Sequence, residues 1–134
     1  VLISLMMTRS ENMRRIKSKD SAPEVMLRRL VYGLGYRYRL HRHDLPGRPD
    51  LVFVGRKKVI FMHGCFWHQH LRCKLGHIPK SNRAYWRPKL RRNVTRDKKN
   101  RTELGRLGWQ SLVLWECQVS DTARVSRTVR AFLR

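Results

Sequence analysis

Every cysteine in this chain stands where a metal ligand would: Cys65, His70 and Cys73 lie within nine residues, and Cys117 follows in Trp115-Glu116-Cys117. Thiolate and imidazole are the donors that tetrahedral zinc prefers, and four protein ligands make a closed, structural site. A fold that uses this Cys3His set must carry the segment 65–73 to the end of a strand near residue 115, a tighter constraint than hydrophobic patterning sets. His63, His68 and His77 compete for the histidine place. The alternative is that the thiols pack as small apolar groups with no metal. Three cysteines do not make a disulfide scaffold, and an odd count leaves one thiol unpaired in an oxidising compartment, so a cytoplasmic setting is expected.

Charge narrows the partners. Thirty-one Lys and Arg stand against nine Asp and Glu, a net +22 on 134 residues. That potential attracts phosphate backbones and opposes compaction. Aromatic and aliphatic content is still sufficient for a core, so wholesale disorder is excluded. The length fits one domain. Apolar runs such as Val1 to Met7 and Leu51 to Val54 fall far short of the roughly 20 residues that a membrane span needs, and Val1 to Met7 lacks the flanks of a signal peptide. Residues 1–19 read as an N-terminal extension and basic arm, with Met13 and Ile16 as its apolar contacts, and 20–134 as a single domain.

Leu27, Leu30, Val31 and Leu34 follow helical spacing, so Ser21 to Leu34 is predicted as an amphipathic helix ending at Gly33 and Gly35. Tyr36 to Leu40 alternates in the manner of a half-buried strand. Leu45 to Pro49 is a turn, and Leu51 to Val54 with Val59 to Met62 reads as a hairpin reversed at Gly55-Arg56. Residues from His63 to Ser81 show little periodicity and many chemically special side chains. A basic helix is predicted from about Pro88 to Leu107 with Leu90, Val94 and Leu104 inward, then a strand from Ser111 to Trp115 and a closing helix from Asp121 to Arg134. This order gives an α/β fold, a mixed sheet flanked by helices.

The few acids are informative because the chain has so few. Asp50 follows Gly47-Arg48-Pro49 at the start of a buried strand, where a hard carboxylate can hold Mg2+ against a scissile phosphate. Turn chemistry is the plainer explanation of a Pro-Asp pair. Asp97 is in phase with Leu90 and Leu104, so it points inward from a basic helix, and an inward charge needs a partner, if only a salt-bridged Arg. Glu24 is in phase with Leu27 and Val31, although Ser21-Ala22-Pro23-Glu24 also reads as a capping box. His63 and His68 are each a candidate base, shuttle or satisfied polar residue. Phe66-Trp67 and Trp86 are either core aromatics or apolar wedges of the kind that unstack base steps.

Leu45-Pro46-Gly47-Arg48-Pro49-Asp50, the run Val59 to His68 (VIFMHGCFWH) and Trp115-Glu116-Cys117 closely resemble the motifs of the very short patch repair (Vsr) endonuclease family. The likeness runs from about Thr8 to Cys117 in the family's motif order. It implies a restriction-endonuclease-like fold related to PD-(D/E)xK nucleases, with Phe61-Met62-His63 in place of the usual acid-x-Lys. It further implies Asp50 and the Met62 carbonyl as Mg2+ ligands, two Mg2+ in all, with His68 as general base, Asp97 orienting it, and His63 and Glu24 in the outer shell. One Zn2+ would be held by Cys65, His70, Cys73 and Cys117, although Leu71-Arg72 departs from the family's His-rich pattern between the middle two. Phe66, Trp67 and Trp86 match the aromatic wedge, and Met13 the arm that grips DNA from the other groove.

The implied activity is nicking of double-stranded DNA 5' to the thymine of a T:G mismatch left by deamination of 5-methylcytosine. The implied setting is a monomer in the bacterial cytoplasm, associated with the nucleoid and coupled to a cytosine-5 methyltransferase and a MutL-type protein. Two alternatives stand beside it: a broader Vsr-like nicking nuclease of a defence or mobile element, and a zinc-stabilised nucleic-acid-binding module without catalysis. Inward acids speak against the last, because they repel the phosphates that a mere binder holds.

Overall fold

Helix α1 (Ala22–Gly33) forms where the apolar spacing predicts it, with Pro23 in its first turn, where the missing N–H costs nothing, and Leu27 and Val31 turned to the core. The computed structural model describes residues 21–134. Met13, the basic arm and the N-terminal extension lie outside the described residues. Strands β1 (Leu51–Phe53) and β2 (Lys58–His63) pair antiparallel, Leu51 opposite Ile60. Lys57, in the left-handed region at φ 53°, closes their connection. β3 (Gln110–Trp115) returns parallel to β2, with His63 opposite Trp115. The sheet is thus mixed, in the order β1-β2-β3.

Helices cover both faces. α1 and the C-terminal α3 (Thr122–Leu133) pack with Ile60, Met62 and Leu114, and α3 contributes Val125, Val129 and Leu133. On the other face Leu104 of α2 (Arg83–Arg106) packs with Val52, Val59 and Phe61. Asp121 caps α3 by accepting from Arg124 N–H at 3.2 Å. The far end of α3 meets cations: Arg56 Nε donates to the Leu133 carbonyl at 2.9 Å and Lys58 Nζ to that of Phe132 at 2.6 Å. Among the described residues no helix is long and apolar enough to cross a membrane.

Two elements differ from expectation. Residues 36–40 alternate as predicted, Tyr36, Tyr38 and Leu40 partly buried between exposed Arg37 and Arg39, but only Arg39 bridges Val52. Alternation is a property of side chains, whereas a ladder needs a free edge, and three-residue β1 offers one exchange of bonds. Helix α2 begins at Arg83, five residues before Pro88, and carries the proline inside. An interior proline normally costs about 3 kcal/mol. The extra turn buries Trp86 completely against Phe66 and Leu90, which offsets that loss.

The turn leading into β1 sets the entry to the site. Arg48 N–H donates to the Leu45 carbonyl at 3.2 Å, and Gly47, at φ 80°, lies so close to Phe61 that a Cβ there would stand 3.0 Å from its ring. No other residue meets both demands without strain.

Candidate active site and metal-ligand cluster

Beyond β2 the chain folds into a tight loop, and its thiols and imidazole converge with Cys117 from the turn after β3. The donor atoms of Cys65, His70, Cys73 and Cys117 all lie within 4.8 Å of one another. His70 Nδ1 is 3.6 Å from Cys65 Sγ and 3.4 Å from Cys117 Sγ. Tetrahedral zinc would set sulfur and nitrogen about 3.5 Å apart, so these donors fit such an ion. His63, His68 and His77 are not part of this cluster, which resolves the choice of histidine. The loop is cinched by Gln69 Nε2, which donates to the Phe66 and Gly76 carbonyls at 2.7 and 3.0 Å. A Cβ at Gly76 would fall 2.9 Å from the His70 carbonyl, so the loop closes only around glycine. Burial pushes the Cys65 thiol up to about 12, and a cation that takes the sulfur as thiolate displaces its proton.

A second cluster, His63, His68 and Asp97, is drawn from the same stretch of chain and from α2. His68 Nδ1 pairs with Asp97 Oδ2 at 2.6 Å. One turn earlier on α2, Asn93 Nδ2 donates to the Trp67 carbonyl at 3.1 Å, so the helix holds both the main chain and the ring of this segment. The rings of His63 and His68 stack with centroids 3.8 Å apart and planes 8° from parallel. His63 is buried, and burial first, then the neighbouring His68, lowers its pKa to about 3, so it stacks as a neutral ring.

Asp50 lies just before β1, its own N–H bonded to the Ile60 carbonyl at 3.1 Å. Its Oδ2 accepts from Met62 N–H at 2.6 Å. Burial, opposed by that bond and reinforced by the nearby charge of Glu24, raises the carboxyl to about 7, and His68 acts on it in the opposite sense. Glu24 is itself buried, 8% exposed, and sits 3.5 Å from Arg28. Ser21 makes no side-chain cap, so the capping box does not form, and the charge of Glu24 acts on Asp50. A buried carboxylate beside another acid, with the Met62 main chain at hand, suits a hard divalent cation.

Phe66, Trp67 and Trp86 form an edge-to-face cluster with centroids 5.1 to 5.6 Å apart. Phe66 and Trp86 are core residues at 2% and 0% exposure; Trp67 alone is half-buried. The three therefore do not stand ready in solvent as a wedge, and inserting them together requires this cluster to open. Sequence reasoning missed Asn93 and Trp115. Asn93 lies one turn before Asp97, and that spacing was the only available signal. Trp115 was marked in the sequence only as part of the Trp115-Glu116-Cys117 motif, with no task of its own, beside Glu116, whose Oε1 accepts from Cys65 N–H at 2.9 Å.

Residues 5–75 match the family described as DNA mismatch endonuclease Vsr. The chain is 44% identical over 119 residues to the DNA mismatch endonuclease Vsr of Escherichia coli, covering 89% of this chain and 76% of that protein. The chain belongs to the Vsr family. It is also 45% identical over 121 residues to the Type II nicking enzyme V.XorIIP of Xanthomonas oryzae pv. oryzae, covering 90% of this chain and 88% of that one. A similar relative is the Type II nicking enzyme V.NmeAIP of Neisseria meningitidis, 44% identical over 126 residues, 91% of this chain and 89% of the relative. As a Vsr-family chain it falls in the class of Vsr-like DNA endonucleases. The family match includes Asp50, His63, Cys65, His68, His70 and Cys73, and stops short of Asp97 and Cys117. Those two join their clusters through the fold.

Proposed function

We propose that this Vsr-family chain, on a restriction-endonuclease-like frame, nicks one strand of duplex DNA 5' to the thymine of a T:G mismatch in a Mg2+-dependent hydrolysis. The observation that carries this reading is the His68–Asp97 pair at 2.6 Å, within electrostatic reach of Asp50. With Nδ1–H directed at Asp97, the lone pair of His68 lies on Nε2, where it can take a proton from an attacking water. Asp97 fixes that tautomer and favours the imidazolium that results. Asp50 and the Met62 carbonyl would hold Mg2+, which when bound stabilises charge on the scissile phosphate. Glu24 acts on Asp50 through its charge, and His63, kept neutral by burial, stacks on His68 without competing for the proton. The four soft ligands would hold Zn2+ in a closed site whose role is structural.

Mismatch choice rests on the aromatic cluster. A mispair is less costly to unstack than a Watson-Crick pair, so insertion of Trp67, followed by Phe66 and Trp86, selects the T:G step. Met13 would grip from the opposite groove, while Lys and Arg along α2 supply phosphate contacts that are blind to sequence.

Single-turnover nicking of a T:G duplex and of its matched control, with and without Mg2+, tests the reading. A Mg2+-dependent nick on the thymine strand of the mismatch alone is expected. Equal cutting of both duplexes would make the chain a broader nicking nuclease, and binding without cutting would make it a DNA-binding module. Trp67→Ala should lower the mismatch-to-match ratio more than affinity; an unchanged ratio would return Trp67 to core packing.

A further inference from the structure

Trp115, to which the mechanism above gives no task, touches both clusters. It ends β3 opposite His63 in the parallel register, and its N–H donates to Gln118 Oε1 at 3.1 Å. Its ring lies face to face with His70, centroids 4.2 Å apart and planes at 11°. It also meets His63 at 5.2 Å and 79°. His63 in turn stacks on His68 at 3.8 Å, and His68 pairs with Asp97. Ring packing is therefore continuous from a ligand of the metal cluster to the base of the hydrolytic site.

We propose that Trp115 is a positioning residue through which the Cys65/His70/Cys73/Cys117 cluster sets the ring plane of His68. This rests on the reading of His68 as the base. The physical reason is that close-packed rings do not tilt independently. Once His70 Nδ1 binds an ion, its ring direction is fixed by coordination, and the partners of metal-bound histidines share that constraint. Trp115 transmits the orientation to His63, and the near-parallel stack transmits it to His68. The competing route is the backbone, since His68 N–H donates to the Gly64 carbonyl at 3.1 Å and His70 N–H to that of Cys65 at 2.9 Å. Those bonds fix the main chain of the turn, and the Asp97 contact at 2.6 Å holds one edge of the His68 ring without reference to the ion, so a response of the ring to the ion separates the two routes.

The test compares the full chain loaded with Zn2+ and with the larger Cd2+, reading the imidazole NMR resonances of His68, assigned by their loss in His68→Gln. In the wild type the exchange of ions should move the His68 resonances; in Trp115→Leu it should not, and Trp115→Phe should restore the response. Single-turnover nicking by Trp115→Leu should fall about 10- to 100-fold, with affinity for the duplex within about twofold and recovery in Trp115→Phe. Trp115→Leu cutting at the wild-type rate, or an equal response to Cd2+ in that variant, would overturn the proposal. If Trp115→Leu does not fold, the wild type decides: His68 resonances indifferent to the ion overturn it as well. A wild type that answers to the ion and does not nick a T:G duplex counts against the function and leaves the coupling standing.

Discussion

Two clusters stand at the same end of β2 and β3 and share the segment 63–70, yet they are held by opposite means. The Cys3His cluster draws its donors from a loop and from Cys117 beyond β3, with Gln69 and Gly76 tightening the loop. Three thiols and an imidazole attract one another weakly, so a soft cation is the natural source of order there. The His63/His68/Asp97 cluster is ordered by packing already present: α2 supplies Asp97 and Asn93, and the ring stack supplies the rest. Damage to the first should cost the fold; damage to the second should cost the chemistry and spare the fold.

Cys117→Ser is the strongest way to break that comparison. Structural zinc contributes about 10–16 kcal/mol in small domains, so losing one ligand should lower the melting temperature by about 10 °C or more and strip the ion, and a strong chelator should unfold the wild type. Metal analysis should find one zinc per chain. An unaltered melt in the variant, or well-folded zinc-free protein, removes the zinc assignment. His68→Ala, by contrast, should keep zinc, fold and DNA binding while nicking falls about 10²- to 10⁴-fold, the residue rising with pH as hydroxide replaces the base. Loss of zinc in this variant would mean that His68 and His70 exchange roles.

Asp50→Asn sharpens the contrast by separating chemistry from stability. A carboxyl raised to about 7 binds its proton more tightly folded than unfolded. Its ionisation therefore opposes folding: the cost is absent below the unfolded pKa of 3.8, grows as pH rises from there through 7 and is constant above that, about 4 kcal/mol at the upper bound. In magnesium-free buffer Asp50→Asn should resist urea better than the wild type at pH 8 and equally at about pH 3, with cutting abolished throughout. The reverse order of stabilities at pH 8 would show the carboxylate to be paired rather than strained. Asn93→Ala should have the smallest effect, about 1 kcal/mol for one hydrogen bond to the Trp67 carbonyl. A melting temperature unchanged within error would mean that Asp97 and the packing of Phe66 and Trp67 on Trp86 and Leu90 hold the segment to α2 without it.

The amino-acid sequence by itself determined the helices α1 and α3, the hairpin and β3, because apolar periodicity is a local property that burial on one face enforces. It also determined the soft ligand set, since donor chemistry belongs to residue type, and it marked Asp50 and Asp97 through the scarcity of acids. Only the tertiary structure decided which histidine joined the thiols, because His68 and His70 differ by two places in a loop without periodicity and point to opposite clusters. It also decided that residues 36–40 make one bridge instead of a strand, that α2 starts five residues before Pro88, and that Phe66 and Trp86 lie in the core. In each case the outcome depended on a partner distant in sequence, an edge three residues long or an aromatic pocket, and local pattern carries no information about what the rest of the chain brings to meet it.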